Sequence, residues 1–177
     1  RVLGSMKRKY RREVFAGRVK EIKRLMPHAC IAADVIVGFP GETEAEFTDT
    51  WHFVDALPLS YMHVFTYSER PGTKAVTLDG KVCANDKCDR SRRLHELSER
   101  KKILFYEANQ GRMDRVLFES DNTGGYMHGF TENYVRVRTP YDPELVNRVV
   151  ELRLGSLDEN GDFNTRLTSS GDRKSTR

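Results

Sequence analysis

The sequence predicts an α/β domain followed by a small all-β domain. Residues 31–38 and 60–67 each form a strand-like run that ends in a turn, and an amphipathic helical segment lies between them. Two strands joined by such a helix form a right-handed parallel crossover. After Gly111 the apolar residues alternate instead of recurring at helical spacing, which is typical of short antiparallel strands. We therefore predict one domain over residues 1–110, a second over 111–168, and a disordered tail over 169–177.

The composition indicates a globular protein. The chain has 177 residues, of which 38% are hydrophobic and 32% charged, and a net charge of +4 that is compatible with a nucleic-acid partner. No apolar run is long enough to span a membrane, so we expect no membrane partner. The three cysteines are an odd, sparse set, typical of reduced thiols in a cytoplasmic protein. Cys83 and Cys88 do not have a usual metal-site spacing, so no metal ligand is assigned.

The first helix is predicted from about Arg11 to Met26, where apolar residues recur at helical spacing before Pro27. Residues 1–24 contain ten Lys or Arg against two Glu, and we interpret most of these charges as a solvated face. Arg8 lies just before the helix, near an expected strand end, and is the better candidate for binding an anion. Because residue 1 is Arg rather than Met, we expect a piece of a longer protein.

The central stretch runs from Asp34 to Glu46. Its apolar run ends in Gly38-Phe-Pro-Gly, which predicts a parallel strand buried on both faces. Thr43 and Glu46 have the spacing of a capping box, so a helix should begin there and continue to about Leu57. Ligands of parallel sheets bind at the carboxyl ends of the strands, where Gly38 and the Glu42 carboxylate lie. A tight turn without a ligand explains the pattern equally well.

The second strand, residues 60–67, is followed by a polar turn at Tyr67–Thr73 on the same predicted rim. His63 lies mid-strand, and we interpret it as a satisfied structural histidine rather than a catalytic one. Residues 74–89 are predicted to form a loop. A helix should follow from Ser91 to about Asn109, and Gly111 provides its stop.

The second domain is predicted to be a small antiparallel barrel in the style of an OB-fold. Its expected strands are residues 112–119, 126–130, 134–138, 149–154 and 163–167. Alternation places Tyr134, Arg136 and Arg138 on one face and two valines on the other. An aromatic ring interleaved with cations suits base stacking and phosphate binding, although an ordinary solvated sheet face fits as well.

Five segments together carry a family resemblance. They are Met6–Tyr10, Asp34–Thr43, His63–Thr73, Ser91–Leu94 and Gly129–Val137. In this order and spacing they resemble the radical-SAM tRNA methylthiotransferases, from Leu3 to about Leu154. The segment Thr131-Glu-Asn-Tyr134 favours the threonylcarbamoyladenosine subfamily over those that modify isopentenyladenosine or a ribosomal protein.

The resemblance implies the C-terminal part of a radical-SAM (partial TIM) barrel over residues 1–110 and a TRAM domain, an RNA-binding β-barrel, after it. It implies an enzyme that adds a 2-methylthio group to the threonylcarbamoyl-adenosine next to the tRNA anticodon. The implied cofactors are S-adenosylmethionine and two [4Fe–4S] clusters, and the implied partner is tRNA. The implied cofactor-binding residues are Arg8, Ile36, Gly38, Glu42, Val64 and Phe65. The residues implied to contact the substrate nucleotide are Tyr67 and Arg70. The implied RNA-binding residues are Tyr134, Arg136 and Arg138.

The chain departs from the family pattern in one respect. The Cys-x3-Cys-x2-Cys cluster motif does not occur in it, and the three cysteines do not replace that motif. We therefore expect no catalytic residue in this chain and no cleavage of adenosylmethionine by it alone. We also expect an unpaired sheet edge, which makes the first half marginal or leads it to associate with another copy.

Two alternative hypotheses about the function stay open. The chain could be a stand-alone RNA-binding module with an α/β scaffold. It could also be an unrelated nucleotide enzyme that cradles phosphate at Gly38–Gly41, although no P-loop lysine or Gly-x-Gly-x-x-Gly pattern is present.

Overall fold

A computed structural model describes residues 1–158 and 161–165. The chain divides into two compact units, Arg1–Lys102 and a second that begins at Ile103. The boundary predicted after residue 110 lies a few residues further along. The predicted tail and the end of the fifth predicted strand fall outside the described residues.

The first unit contains four α-helices and two strands among its elements. They are α1 (Val2–Ser5), α2 (Arg12–Leu25), β1 (Ala32–Val37), α3 (Glu44–Asp55), β2 (Tyr61–Thr66), a 3₁₀ turn (Lys74–Thr77) and α4 (Ala84–Glu107). Helix α4 continues into the second unit. Where a strand end was expected before Arg8, the structure has the single turn α1. The predicted loop over 74–89 is wrong at its end, because α4 begins at Ala84 and its first two turns are too polar to show an apolar period.

Strands β1 and β2 pair in parallel, with Ala32 opposite Tyr61 and Val37 opposite Thr66. The predicted parallel pairing of these two strands is therefore confirmed. One face of this two-stranded sheet packs against the helices. That core contains Val19, Val37, Phe47, Val54, Leu57, Leu59, Met62, Leu94 and Leu97.

The other face of the β1–β2 sheet is open. Asp34, His63 and Phe65 lie on it and are exposed. The prediction that the first strand is buried on both faces is wrong, because the described helices of this unit cover one side only. The apolar run Val35–Val37 alone does not reveal whether one layer or two will cover a strand.

Helix α3 begins as its sequence predicts. The Thr43 hydroxyl accepts the Glu46 backbone N–H, and the Glu46 carboxylate accepts the Thr43 N–H in return. This capping box satisfies two of the backbone donors that a helix start leaves free. It fixes where the glycine turn ends and α3 starts.

The second unit is a five-stranded sheet in the order β6-β3-β4-β5-β7. The strands are β3 (Met113–Phe118), β4 (Tyr126–Thr131), β5 (Arg136–Pro140), β6 (Val149–Arg153) and β7 (Phe163–Asn164). Four strands pair antiparallel as predicted, but β7 joins β5 in parallel. Its inner face is tightly packed, since Val116, Phe118, Met127 and Val137 are fully buried. Within the described residues, no helix has both the length and the apolar character needed to cross a bilayer.

Candidate functional site

The open face of the β1–β2 sheet brings together two cross-strand pairs. Asp34 lies opposite His63, and Ile36 lies opposite Phe65. Phe65 is 51% exposed, so its ring is available for stacking. The structure thus joins two of the predicted cofactor residues, Ile36 and Phe65, on one surface. The side chain of His63 is exposed and contacts the Tyr61 ring. Its interpretation as a structural rather than a catalytic histidine stays a prediction.

Val64 points the other way. Its side chain packs against the apolar core, as the alternation of a strand requires for a neighbour of Phe65. A ligand on the open face could therefore meet only the backbone of Val64. Its assignment to the cofactor stays a prediction.

The turn after β1 is closed by a buried ion pair. The Glu42 carboxylate accepts the Gly38 N–H at 2.7 Å and a guanidinium N–H of Arg90 at 2.8 Å. Both side chains are only 5% exposed. Arg90 also donates to the Glu42 carbonyl at 3.2 Å. The carboxylate predicted to lie beside a cofactor is thus engaged within the protein, where it holds the glycine turn against α4.

A second layer of charge surrounds this pair. Arg93 donates to Glu44 at 2.7 Å, and Arg90 reaches the same carboxylate at 3.3 Å. Hydrogen bonding from Arg93 is the main cause that holds the pKa of Glu44 below its ordinary value. Both guanidinium groups lie over the ring of Phe47, which is fully buried. Stacking and ion pairing together fix the arginines, and with them the loop.

Lys87 links the two strand ends. Its ammonium group donates to the Tyr67 carbonyl at 3.2 Å and lies 5.4 Å from the centre of the Tyr67 ring. Its methylenes cover Gly38 so closely that a Cβ there would lie 2.5 Å from Lys87 Cγ. Gly38 also has φ of +75°, which favours glycine. Lys87 is not among the predicted site residues, because it falls within the loop predicted over residues 74–89.

Tyr67 and Arg70 follow β2. The Tyr67 ring packs edge-on against Phe39, and its hydroxyl oxygen is buried with no hydrogen-bond partner among the described residues. Such a group costs free energy unless something meets it. Arg70 is exposed and forms no ion pair within the described part of the chain.

Arg8 lies on a groove that runs along the backbone of β1. The groove has a volume of about 850 Å³ and is lined by α1, α2, α3 and residues 32–35. Arg8 is exposed, and no described carboxylate pairs with it. Its guanidinium is therefore available to an anion.

The cysteines are dispersed. Cys30 is half-buried, and Cys83 and Cys88 are exposed. Over residues 1–158 and 161–165, no group of three or more His, Cys, Asp or Glu side chains could hold a metal ion. The described residues do not fit an iron–sulfur cluster.

The predicted RNA face of the second unit is rearranged. Arg136 pairs with Asp162 at 3.4 Å, and Arg138 pairs with Asp158 at 3.1 Å. Arg138 also lies over the Tyr126 ring at 4.1 Å. The valines face inward as predicted, but Tyr134 does not share the strand face, because it precedes β5 in a turn. Both arginines are thus already paired with acidic groups.

A network of hydrogen bonds holds Tyr134 in this turn. The Thr131 hydroxyl accepts the Val135 N–H at 2.9 Å, and the Thr131 carbonyl accepts the Tyr134 N–H at 3.0 Å. Asn133 donates to Asn109 at 3.0 Å. Tyr134 itself has φ of +62° and is 71% exposed. A bulky residue in this conformation is uncommon, and it places the ring in solvent.

Comparison with known proteins finds relatives of this chain. No family model matches the chain. The Threonylcarbamoyladenosine tRNA methylthiotransferase MtaB of Bacillus subtilis is 33% identical over 157 residues, which cover 86% of this chain and 35% of that protein. The protein of the same name from Aquifex aeolicus is 41% identical over 138 residues, or 78% of this chain and 32% of the relative. Over these residues the chain is similar to proteins that are named as tRNA methylthiotransferases.

Other proteins that are similar to this chain are named for a second activity. A tRNA-2-methylthio-N(6)-dimethylallyladenosine synthase of Frankia casuarinae is 42% identical over 133 residues, or 72% of this chain and 25% of that protein. The chain spans about a third or less of the length of these methylthiotransferases. Identity alone does not separate the two named activities.

Proposed function

We propose that this chain is part of a cytoplasmic enzyme that adds a 2-methylthio group to the threonylcarbamoyl-adenosine next to the anticodon of tRNA, by radical-SAM chemistry. The observation that carries this proposal is the similarity of 33% and 41% to two proteins named for that reaction, over most of the chain. We propose that the first unit is the late part of the radical-SAM barrel and the second a TRAM domain. The parallel β1–β2 pair and the five-stranded sheet support these assignments.

The first unit would hold S-adenosylmethionine, and the residues present fit it. The exposed Phe65 ring beside Ile36 suits the adenine, and the unpaired Arg8 guanidinium suits a carboxylate. Gly38 would bring the backbone close to the ligand, and Glu42 would hold the turn that contains it. When bound, the cofactor supplies the radical and the transferred methyl group. The iron–sulfur ligands of the intact protein would come from residues other than those described, so no step through a cluster is derived.

Each unit would contribute its own contacts to the substrate. Tyr67 and Arg70 would meet the nucleotide, with the buried Tyr67 hydroxyl as a donor that lacks a partner within the described residues. Tyr134 would stack on a base, and Arg136 and Arg138 would contribute positive charge to the same domain.

The experiment is expression of the complete gene that encodes this chain, in a strain that lacks its own methylthiotransferases. Nucleosides from its tRNA are then separated and weighed by mass spectrometry. We expect a mass gain on threonylcarbamoyladenosine. A mass gain on the isopentenyl (dimethylallyl) nucleoside would instead support the second activity, for which the similar protein of Frankia casuarinae is named. No gain on either nucleoside would contradict the proposed function and favour a stand-alone RNA-binding module.

Two properties of the chain by itself follow from the same proposal. After reconstitution with iron and sulfide we expect no stoichiometric cluster absorbance, because the described residues contain no group of three or more ligating side chains. The unpaired edge of β1 also leads us to expect self-association. Sedimentation at several protein concentrations would measure it, and a monomer throughout would refute it.

A further inference from the structure

We propose that Lys7, Lys9, Tyr10 and Arg11, within the segment Lys7–Arg11 of the first unit, form a second RNA-binding surface that contacts the sugar–phosphate backbone. This inference rests on the proposed function, because it takes RNA as the partner. It adds a surface that none of the predicted substrate residues belongs to.

The first observation is the charge of the segment. Four of its five residues are cationic, and all five are exposed. None of the four cations forms an ion pair with a described carboxylate. Two other arginines of the first unit differ, since Arg12 pairs with Asp49 at 2.5 Å and Arg24 with Glu21 at 2.7 Å. The local acids are thus used by other cations, and the positive charge of this segment is left without a counter-charge.

The second observation is the backbone of the segment. Helix α1 ends with two capping bonds, from the Lys7 N–H to the Gly4 carbonyl and from the Arg8 N–H to the Leu3 carbonyl, both 2.9 Å. This motif requires a left-handed residue, usually glycine, and Lys7 occupies it with φ of +56°. A lysine is sterically unfavourable where glycine would serve the turn. Outliers of this kind cluster at functional sites, and here the side chain adds a charge to the run.

The third observation is the aromatic residue inside the run. Tyr10 is 48% exposed between Lys9 and Arg11. Cations that follow a nucleic-acid backbone, with an exposed ring to stack on a base, are the usual means of binding single-stranded nucleic acid without sequence preference. A lipid surface would require apolar residues beside the cations, and within this segment only Tyr10 could insert. The chemistry therefore favours RNA.

The test uses the whole 177-residue chain and labelled tRNA. Fluorescence anisotropy gives Kd at salt concentrations from 50 to 200 mM for three proteins: the wild type, the triple variant K7Q/K9Q/R11Q, and the control R18Q/K20Q/R148Q. Arg8 is left unchanged because it belongs to the proposed cofactor site. The control removes the same charge from exposed cations that form no ion pair with a described residue.

Each phosphate contact contributes roughly 0.7 to 0.9 to the slope of log Kd against log salt. We expect K7Q/K9Q/R11Q to reduce this slope by about 2 and the control by less than about 1. The variant Lys7→Gly keeps the turn, so it should keep the unfolding midpoint of the wild type and lose affinity about threefold. It therefore separates lost charge from lost structure.

The outcomes are distinguishable. If wild-type chain binds tRNA and the two triple variants have equal slopes, this inference is overturned and the proposed function stands. If the wild-type chain does not bind tRNA at all, the RNA-binding part of the proposed function fails as well. If K7Q/K9Q/R11Q retains tRNA affinity but loses binding to phosphatidylserine vesicles, the partner is a lipid surface and the inference is again overturned.

Discussion

Replacing Glu42 by glutamine is expected to destabilise the first unit strongly. The change keeps the shape of the side chain and removes the charge opposite Arg90, which is 4% exposed. Leaving one partner of a buried pair uncompensated costs about 3–5 kcal/mol. Because Glu44 also reaches Arg90 at 3.3 Å, we expect the lower end, about 3 kcal/mol. That is a large fraction of a typical domain stability of about 5–15 kcal/mol.

The assay is urea unfolding followed by tryptophan fluorescence. Trp51 is the chain's one tryptophan and lies in α3, so its signal reports the first unit. Glu44→Gln is the matched control, because this carboxylate is 59% exposed and its loss should cost less than about 1 kcal/mol.

A second variant tests the physical reason. The double change E42Q/R90M removes both charges and keeps an acceptor for the Gly38 N–H. It should recover much of the loss, since no uncompensated charge then remains buried. The reasoning is refuted if Glu42→Gln unfolds within about 1 kcal/mol of wild type, or if Glu44→Gln loses as much. Either result would mean that the Glu42 carboxylate does not hold the turn.

Three further predictions concern the second unit. Tyr134→Asn should change the free energy of unfolding by less than about 1 kcal/mol, since asparagine tolerates a left-handed φ. It should weaken tRNA binding by about 1–3 kcal/mol, because the stacking ring is lost. Equal binding by the variant and the wild type would contradict this prediction. Burial raises the pKa of Asp121, but hydrogen bonds from the His128 side chain and backbone outweigh it and keep the pKa below its ordinary value. The wild type should therefore lose stability relative to Asp121→Asn as pH falls from about 5 toward the lowered pKa. Hydrogen exchange of the His128 amide measures this loss. If the stability of the two proteins changes with pH in parallel, the prediction is contradicted. Gly129→Ala should lower the free energy of unfolding by about 1–3 kcal/mol, because the new Cβ would lie 2.6 Å from the Leu117 carbonyl oxygen. The control Gly17→Ala, in α2, places a Cβ with nothing within 4 Å, so it should be neutral or stabilising. Calorimetry measures both variants.

The elements that the sequence predicted well depend on short-range patterns. Thr43 and Glu46 are three residues apart, and their capping box forms as expected. The parallel pairing of β1 with β2 follows from the helix between them and the handedness of such crossovers. The capping-box residues are close together in the chain, and the paired strands are joined by a single helix.

What could not be predicted depends on distant partners. Glu42 and Arg90 are 48 residues apart, and nothing in the local sequence marks Arg90 as the group that will neutralise the carboxylate. The polar start of α4 hid Lys87 in a predicted loop for a similar reason. A helix whose first turns have no apolar stripe is stabilised by contacts elsewhere, which a pattern does not record.

Tyr134 shows how an alternating pattern misleads at the end of a strand. The letters Tyr-Val-Arg-Val-Arg fit a strand with one polar face, and both valines are indeed fully buried. The hydrogen bonds of Thr131 to Val135 form a turn instead, so β5 begins at Arg136. The side chain that we propose to stack on a base is therefore the one that leaves the sheet.

The sequence alone does not show whether a charged residue near a strand end binds a ligand or stabilises the fold. Its ion-pair partners in the structure help to distinguish the two roles. Glu42, Arg136 and Arg138 are engaged with buried or nearly buried groups of opposite charge, so changing them should alter stability first. Phe65 and Arg8 are exposed, and Arg8 has no ion-pair partner among the described residues, so changing either should leave stability nearly intact. If the open face of β1 and β2 holds adenosylmethionine, Phe65→Ala and Arg8→Gln should reduce its binding at unchanged unfolding midpoints. Loss of binding only in variants that also unfold would mean that the cofactor lies elsewhere.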